Sequence, residues 1–190
     1  MKGQERSARE SGRLSERPAR AILGHCGRGQ AALEVAFVIP VMMMLLFGCF
    51  QVARVFFLYH TLQKAVRGGA GMLARMNSVN YCDPADPALN DARNFIVFGN
   101  LQGNGTPIVE GLTPDIIQVV PERILQGSTS VGACLCTQDP ESCDPAAGGR
   151  QPDFVTVNLG GGFPVNVPFP FVNLGTIALK VSVRMPVTGG

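Results

Sequence analysis

The sequence predicts an α+β protein in which a long N-terminal membrane-spanning helix continues into a small antiparallel-sheet head. Two observations predict this. Val35 to Ala53 form an apolar run with no charge in it, and residues 77–190 break into short period-two stretches separated by glycine and proline. A third observation supports the division: four of the six cysteines fall within residues 77–190.

The first segment, residues 1–29, is a basic leader with net charge +4, whereas residues 30–190 carry −2. Positive flanks stay cytoplasmic, so the leader is expected inside and the C-terminal head outside. Arg54, Lys64 and Arg67 follow the apolar run and weaken that bias without reversing it. The basic residues concentrate in the leader and have no aromatic residues interleaved, so no nucleic-acid partner is expected.

Residues 30–76 are predicted to be one helix, with its transmembrane part at 35–53. That part would span about 28 Å, close to the ~30 Å of a bilayer's hydrocarbon core. Gln51 is its one strongly polar side chain, and Glu34 stands at its front edge. A removable secretory signal does not fit, because no small-x-small cleavage site follows the run. Nor is Cys26 a lipoprotein site: Leu23-Gly24-His25 precede the apolar run, and His25 is too large. Cys26 and Cys49 therefore read as plain thiols. Pro40 removes a hydrogen bond to Ala36. It is either a tolerated membrane proline or a flexible helix kink that lets the helix repack on leaving the bilayer.

Beyond the run, Val55, Leu58, Tyr59, Leu62, Ala65, Val66, Gly69, Met72, Leu73 and Met76 recur at three- and four-residue steps. That spacing predicts an amphipathic outer half needing a partner surface. Gly68, Gly69 and Gly71 weaken it and mark a bend or a close contact, and Asn77-Ser78 is the expected stop.

The head opens with a turn-rich link holding Asp83, Pro84, Asp86 and Pro87, followed by a short amphipathic helix over Ala88–Phe98. Strands are expected at Ile116–Val120, Val131–Leu135, Phe154–Leu159 and Ile177–Met185, the last with the clearest alternation. Gly160–Pro170 suits a turn and an edge segment rather than a central strand.

Cys82, Cys134, Cys136 and Cys143 are the disulfide candidates, since an even number of cysteines in an exported segment fits two bridges. Cys134 and Cys136 are too close to bridge each other without strain, so each is expected to pair outward, to Cys82 and Cys143. A zinc site is disfavoured, because C-x-C-x6-C with a remote Cys82 is not a standard ligand spacing.

Enzymatic function finds little support. The two histidines, His25 and His60, lie outside the head, which excludes a Ser-His-Asp or Cys-His arrangement there. Asp83, Asp86, Asp139, Asp144 and Asp153 read as solvated turn formers. Gly160-Gly161-Gly162 follows a strand, but no lysine or helix signal follows it, so no phosphate loop and no cofactor is expected.

The segment Arg28-Gly29-Gln30-Ala31-Ala32-Leu33-Glu34 resembles a type IV prepilin junction: basic leader, glycine, four residues, glutamate, apolar helix. More widely, Gly29–Gly71 resembles the N-terminal signature of TadE-like proteins of the tight-adherence pilus system. The matching residues are Gly29-Gln30-Ala31, Glu34, Pro40, Phe47-Gly48, Arg54 and Ala65-x-Arg67-x-Gly69-Ala70. The later order (helix after a turn, V-x-V strands, Pro-rich segment, closing strand ending in Arg184) is similar more loosely, and the four head cysteines are not part of that likeness.

The resemblance implies a pilin-like, non-enzymatic minor pilin or pseudopilin of Flp-type pilus biogenesis in the bacterial inner membrane. It implies cleavage after Gly29, so that Gln30 begins the mature chain, by a prepilin peptidase whose close-fitting cleft suits a residue without Cβ. Further implied partners are the membrane, other pilins or pseudopilins and platform proteins. Glu34 then has two readings. It is a helix N-terminal acid favoured by the dipole, or the assembly charge that pairs with the amine of Gln30 on a neighbouring subunit. Two other functions remain open: an uncleaved signal-anchored envelope protein whose disulfide-stabilised head binds a ligand or protein, and a tethered thiol-disulfide enzyme using Cys134-Leu135-Cys136.

Overall fold

The computed structural model describes residues 26–125, 127, 129–137, 142–169 and 172–188. The leader up to residue 25, Asp139 and Pro170 lie outside the described residues. The chain forms two compact units, Met1–Leu45 and Leu46–Gly190.

Helix α1 spans Cys26–Leu73 and contributes to both units. It starts a turn earlier than expected, runs through Pro40 without ending, and stops three residues before Met76. Local geometry accounts for the early stop. The amides of Arg75 and Met76 bond to the carbonyls of Met72 and Leu73, three residues back, at 3.2 Å each. Ser78 then takes a left-handed φ of 63°, and the Tyr81 hydroxyl donates to the Leu73 carbonyl at 3.1 Å. These bonds satisfy carbonyls that a helix end otherwise leaves orphaned.

Within Met1–Leu45, the large apolar side chains of α1 from Leu33 to Leu45 are exposed all round the helix. An apolar helix without a polar stripe suits lipid rather than a water-facing surface. From Gly29 to Leu73 α1 is long and apolar enough to cross a membrane.

Leu46–Gly190 contains the rest of α1, a second helix and two sheets. Helix α2, Pro87–Phe98, has a complete set of end signals. The Asp86 carboxylate accepts from the Ala88 amide at 2.8 Å, Pro87 takes the first helical position, and Gly99 closes the helix at φ 74°. The strands are β1 (Ile117–Ile124), β2 (Val131–Ala133), β3 (Phe154–Leu159), β4 (Phe163–Phe169), β5 (Val172–Leu179) and β6 (Ser182–Pro186). All their pairings are antiparallel: a four-stranded sheet ordered β2-β1-β3-β6 and a two-stranded sheet of β4 and β5.

Leu62, Val66, Ala70 and Leu73 of α1, spaced by three or four residues, are fully buried with Leu89, Ala92, Ile96 and Val97 of α2 and Val155 and Val157 of β3. Each fully buried Leu, Ile or Val stabilises the fold by about 1.5–3 kcal/mol before entropy is counted. The C-terminal end is tied to the same place, because the Thr188 amide donates to the Ala74 carbonyl at 2.8 Å.

Strand β3 lies where the sequence predicts it. The predicted strand Ile177–Met185 is in fact two. Leu179 pairs with Phe163 in the two-stranded sheet, and Ser182 pairs with Asn158 in the four-stranded one. Gly160–Gly162 cause the switch. They turn the chain out of β3 with left-handed φ of 73° and 86° at Gly161 and Gly162, so β5 loses contact with β3 and finds β4 instead. Alternation persists across the break, with Val181 and Val183 both buried, so the pattern carries no mark of it. The Gly160–Pro170 region is strand over Phe163–Phe169, and a two-stranded sheet leaves β4 an edge strand, where proline is tolerated.

Candidate assembly and membrane-contact site

Gly29, Gln30 and Glu34 lie in the first turns of α1 and are exposed. Gln30 and Glu34 are four residues apart and so share a face. Glu34 has no hydrogen-bond or ion-pair partner among the described residues. A Cβ on Gly29 would meet nothing within 4 Å. Glycine costs a helix about 1 kcal/mol relative to alanine, and no contact within the described chain offsets that cost at Gly29.

Gly71 is open in the same way, whereas Gly68 and Gly69 differ. A Cβ on Gly69 would collide with the Ile96 side chain, and one on Gly68 would sit 3.0 Å from the Phe95 ring. Of the expected bend or close contact, the structure shows the close contact: Gly68 and Gly69 are where α2 approaches α1.

Gln51 is the residue whose role the sequence left unread. It is only 5% exposed although its neighbours Phe50 and Val52 are well exposed. Its Nε2 donates to the carbonyl of Pro168 on β4 at 2.8 Å. Further along, Phe163, Pro164, Val165 and Asn166 of β4 line a cleft with Arg54 and Leu58 of α1 and with Val109 and Glu110. The signal was the polar amide itself, since a polar group in an apolar run needs a partner. The partner, 117 residues away, had no signal.

The head cysteines form two bridges, Cys82–Cys136 and Cys134–Cys143, with Cα separations of 5.4 and 5.8 Å. Each of Cys134 and Cys136 therefore pairs outward, and the connectivity left open by the sequence is resolved. Around them, Asn80 acts as a hub. Its amide donates to Asp86 at 2.9 Å, its Nδ2 to Asp144 at 3.2 Å, and its Oδ1 accepts from the Cys82 amide at 3.0 Å. Nearby Tyr81 is buried, and that burial, reinforced by the negative charge of Asp86, raises its phenol from 10.0 to about 12. On the sheet, Arg184 of β6 pairs with Glu122 of β1 at 2.6 Å, with its guanidinium 6.0 Å from the centre of the Phe154 ring. No group of three or more His, Cys, Asp or Glu among the described residues is placed to hold a metal ion.

These features define a class: a protein with one N-terminal apolar helix that fits a single-pass membrane anchor, followed by a disulfide-bonded α+β head. Residues 29–70 match the family model described as TadE-like protein, the family the sequence resembles. That match makes the chain similar to components of tight-adherence pilus assembly over α1 from Gly29 to Ala70. The curated proteins and the solved structures give no match.

Proposed function

We propose that this chain is a membrane-anchored minor pilin or pseudopilin-like component of tight-adherence (Flp) pilus biogenesis, processed after Gly29 by a prepilin peptidase. The observation that carries this reading is the match to the TadE-like family model over residues 29–70, which begins at Gly29 and takes in Glu34 and the apolar run. Gly29 is exposed, with nothing within 4 Å of a Cβ placed there, so no packing inside the described chain stands between it and a close-fitting peptidase cleft, which a residue without Cβ suits.

In this reading the bilayer is the bacterial inner membrane, with the basic leader cytoplasmic and the head periplasmic. The leader's +4 charge favours that direction. So do the two head disulfides, which persist only in an oxidising compartment. Glu34 is the assembly residue. Exposed and without a partner among the described residues at the front of the apolar run, its carboxylate costs a few kcal/mol in lipid, and the liberated amine of Gln30 on a neighbouring subunit offsets this. Partners are the peptidase, other pilins or pseudopilins, and the assembly platform. The chain acts as substrate and building block rather than as catalyst.

The competing reading is an uncleaved, signal-anchored envelope protein with a binding head. It draws on the placement of the Gly29–Gln30 bond inside α1, because a helical bond must fray before it is cut. The mass of the N-terminal peptide from native material separates the two: a start at Gln30 supports processing, and an intact Met1 overturns it. Glu34→Ala is expected to be cleaved normally yet to leave pili scarce, and normal piliation in that variant would remove Glu34 from assembly.

A further inference from the structure

The bond between Gln51 and Pro168 places part of the head at a depth where the sequence predicts only lipid. The apolar run ends at Ala53, so the α carbon of Gln51 lies about 3 Å inside that end at ~1.5 Å of rise per residue. Helical side chains lean toward the N-terminus, which carries the Gln51 amide deeper still. The Pro168 carbonyl, 2.8 Å from that amide, shares its depth. Strand β4 reaches this point by running along α1, with Phe163–Asn166 beside Arg54 and Leu58 and then Pro168 beside Gln51.

Three further observations fit a lipid neighbour. No residue between Asp153 and Lys180 carries a charge, so the whole β4–β5 stretch is free of ionised groups. Exposed apolar surface continues past Ala53 on α1, where Phe56 and Phe57 are 60% and 71% exposed. The exposed Arg54, between Ala53 and these phenylalanines, has a stem long enough to lift its charge to the phosphates. On β5, Ile177 stands opposite the buried Val165 and is itself 44% exposed.

Strand chemistry decides the kind of neighbour. An edge strand that pairs with another chain needs backbone donors, and Pro164 and Pro168 delete two of them from β4. In lipid the same deletions help, because an unpaired N–H has no water to bond. The Gln51 amide satisfies a carbonyl there for the same reason.

We propose that the β4–β5 hairpin is a second membrane contact, lying in the boundary layer of the leaflet on the head side of the bilayer that α1 crosses. Pro168 meets the outer acyl segments, and Pro164 to Asn166 lie among headgroups, within the ~5–10 Å burial typical of interfacial elements. This rests on the anchor reading of α1. It fixes the distance of the head from the membrane, so the head stands against the bilayer rather than on a free stalk.

The chain has no tryptophan, so single reporters can be placed in the full-length protein in phosphatidylcholine–phosphatidylglycerol vesicles carrying acyl-brominated lipid. Pro168→Trp and Ile177→Trp report on the hairpin. Phe57→Trp reports on the anchor, and Leu135→Trp on the far end of the head: Leu135 is exposed and adjoins Cys136, whose bridge to Cys82 follows Tyr81 at the Leu73 carbonyl, about 30 Å beyond Ala53 along α1. The proposal expects both hairpin reporters to lose emission to the brominated lipid as Phe57→Trp does, with Leu135→Trp unaffected. Hairpin reporters that behave like Leu135→Trp while Phe57→Trp is quenched overturn the proposal and leave the anchor standing. An unquenched Phe57→Trp overturns both. Blue-shifted hairpin emission that escapes the bromine and grows with protein density overturns it in favour of a second copy covering the hairpin.

Discussion

Before Leu46, α1 shows exposed apolar side chains on every side; after it, the same helix buries Leu62, Val66, Ala70 and Leu73 completely. The backbone is identical in kind, and only the neighbours differ. Glycine records the difference. Gly69 is required by the Ile96 side chain packed over it, whereas Gly29 is required by nothing within 4 Å. Gly69 answers to stability, and in the proposed function Gly29 answers to a partner.

The largest expected effect breaks that pairing directly. Gly29→Leu should abolish processing, seen as an unshifted band on a gel, while the thermal midpoint of the head stays unchanged. Gly69→Leu should do the reverse: normal processing, with about 1–3 kcal/mol lost to overpacking against α2. A Gly29→Leu chain that is still cut would return that glycine to chance.

Next in size are the disulfides, which hold the second region alone. Cys82–Cys136 closes a separation of 54 residues and Cys134–Cys143 one of 9. On loop-entropy grounds, replacing the first pair by alanine should cost about 4 kcal/mol and the second about 3. Denaturant titration of the two double variants checks the order. An equal or inverted cost would mean that native contacts around Asn80, rather than chain closure, set the stability there.

Much of this contrast could be read from the residues. The apolar run, the amphipathic outer half and the disulfide candidates each rest on a local signal: absence of charge, a repeat of three to four, an even cysteine count. The α2 boundaries were legible because Asp86, Pro87 and Gly99 are themselves the end signals. What escaped was relational. The break between β5 and β6 is invisible because Val181 and Val183 stay in phase while the pairing partner changes from β4 to β3. The prolines of β4 marked it as an edge segment, as found, but gave no sign that its partner is β5. Disulfide partners depend on where β2 delivers Cys134. Of the candidate site, Gly29, Gln30 and Glu34 were legible as a spacing, while Gln51 was visible only as an anomaly.

Gln51 sits where the two surroundings of α1 meet, and it gives a smaller test. Gln51→Leu leaves the Pro168 carbonyl without its donor, a loss of about 1–3 kcal/mol confined to the hairpin. Hydrogen exchange should speed up about 10- to 100-fold in β4 and β5 and stay unchanged in β3 and α2. Uniformly faster exchange would show that the bond supports the whole head instead.

The smallest effect concerns the end of α1, where Tyr81 covers the last turn. Its phenol titrates at about 12 instead of 10.0 because burial, and then the charge of Asp86, disfavours the phenolate. Below pH 10 both folded and unfolded chains hold the proton, and the contribution of Tyr81 to stability is complete. Between pH 10 and about 12 the unfolded chain gives up the proton while the folded one keeps it, so stability falls with rising pH and levels off above that window. Tyr81→Phe should lose about 1 kcal/mol at neutral pH with the bond to the Leu73 carbonyl. The alkaline slope should shrink with it, since no phenol remains at that site. A wild-type slope retained in Tyr81→Phe would assign the alkaline transition to other groups.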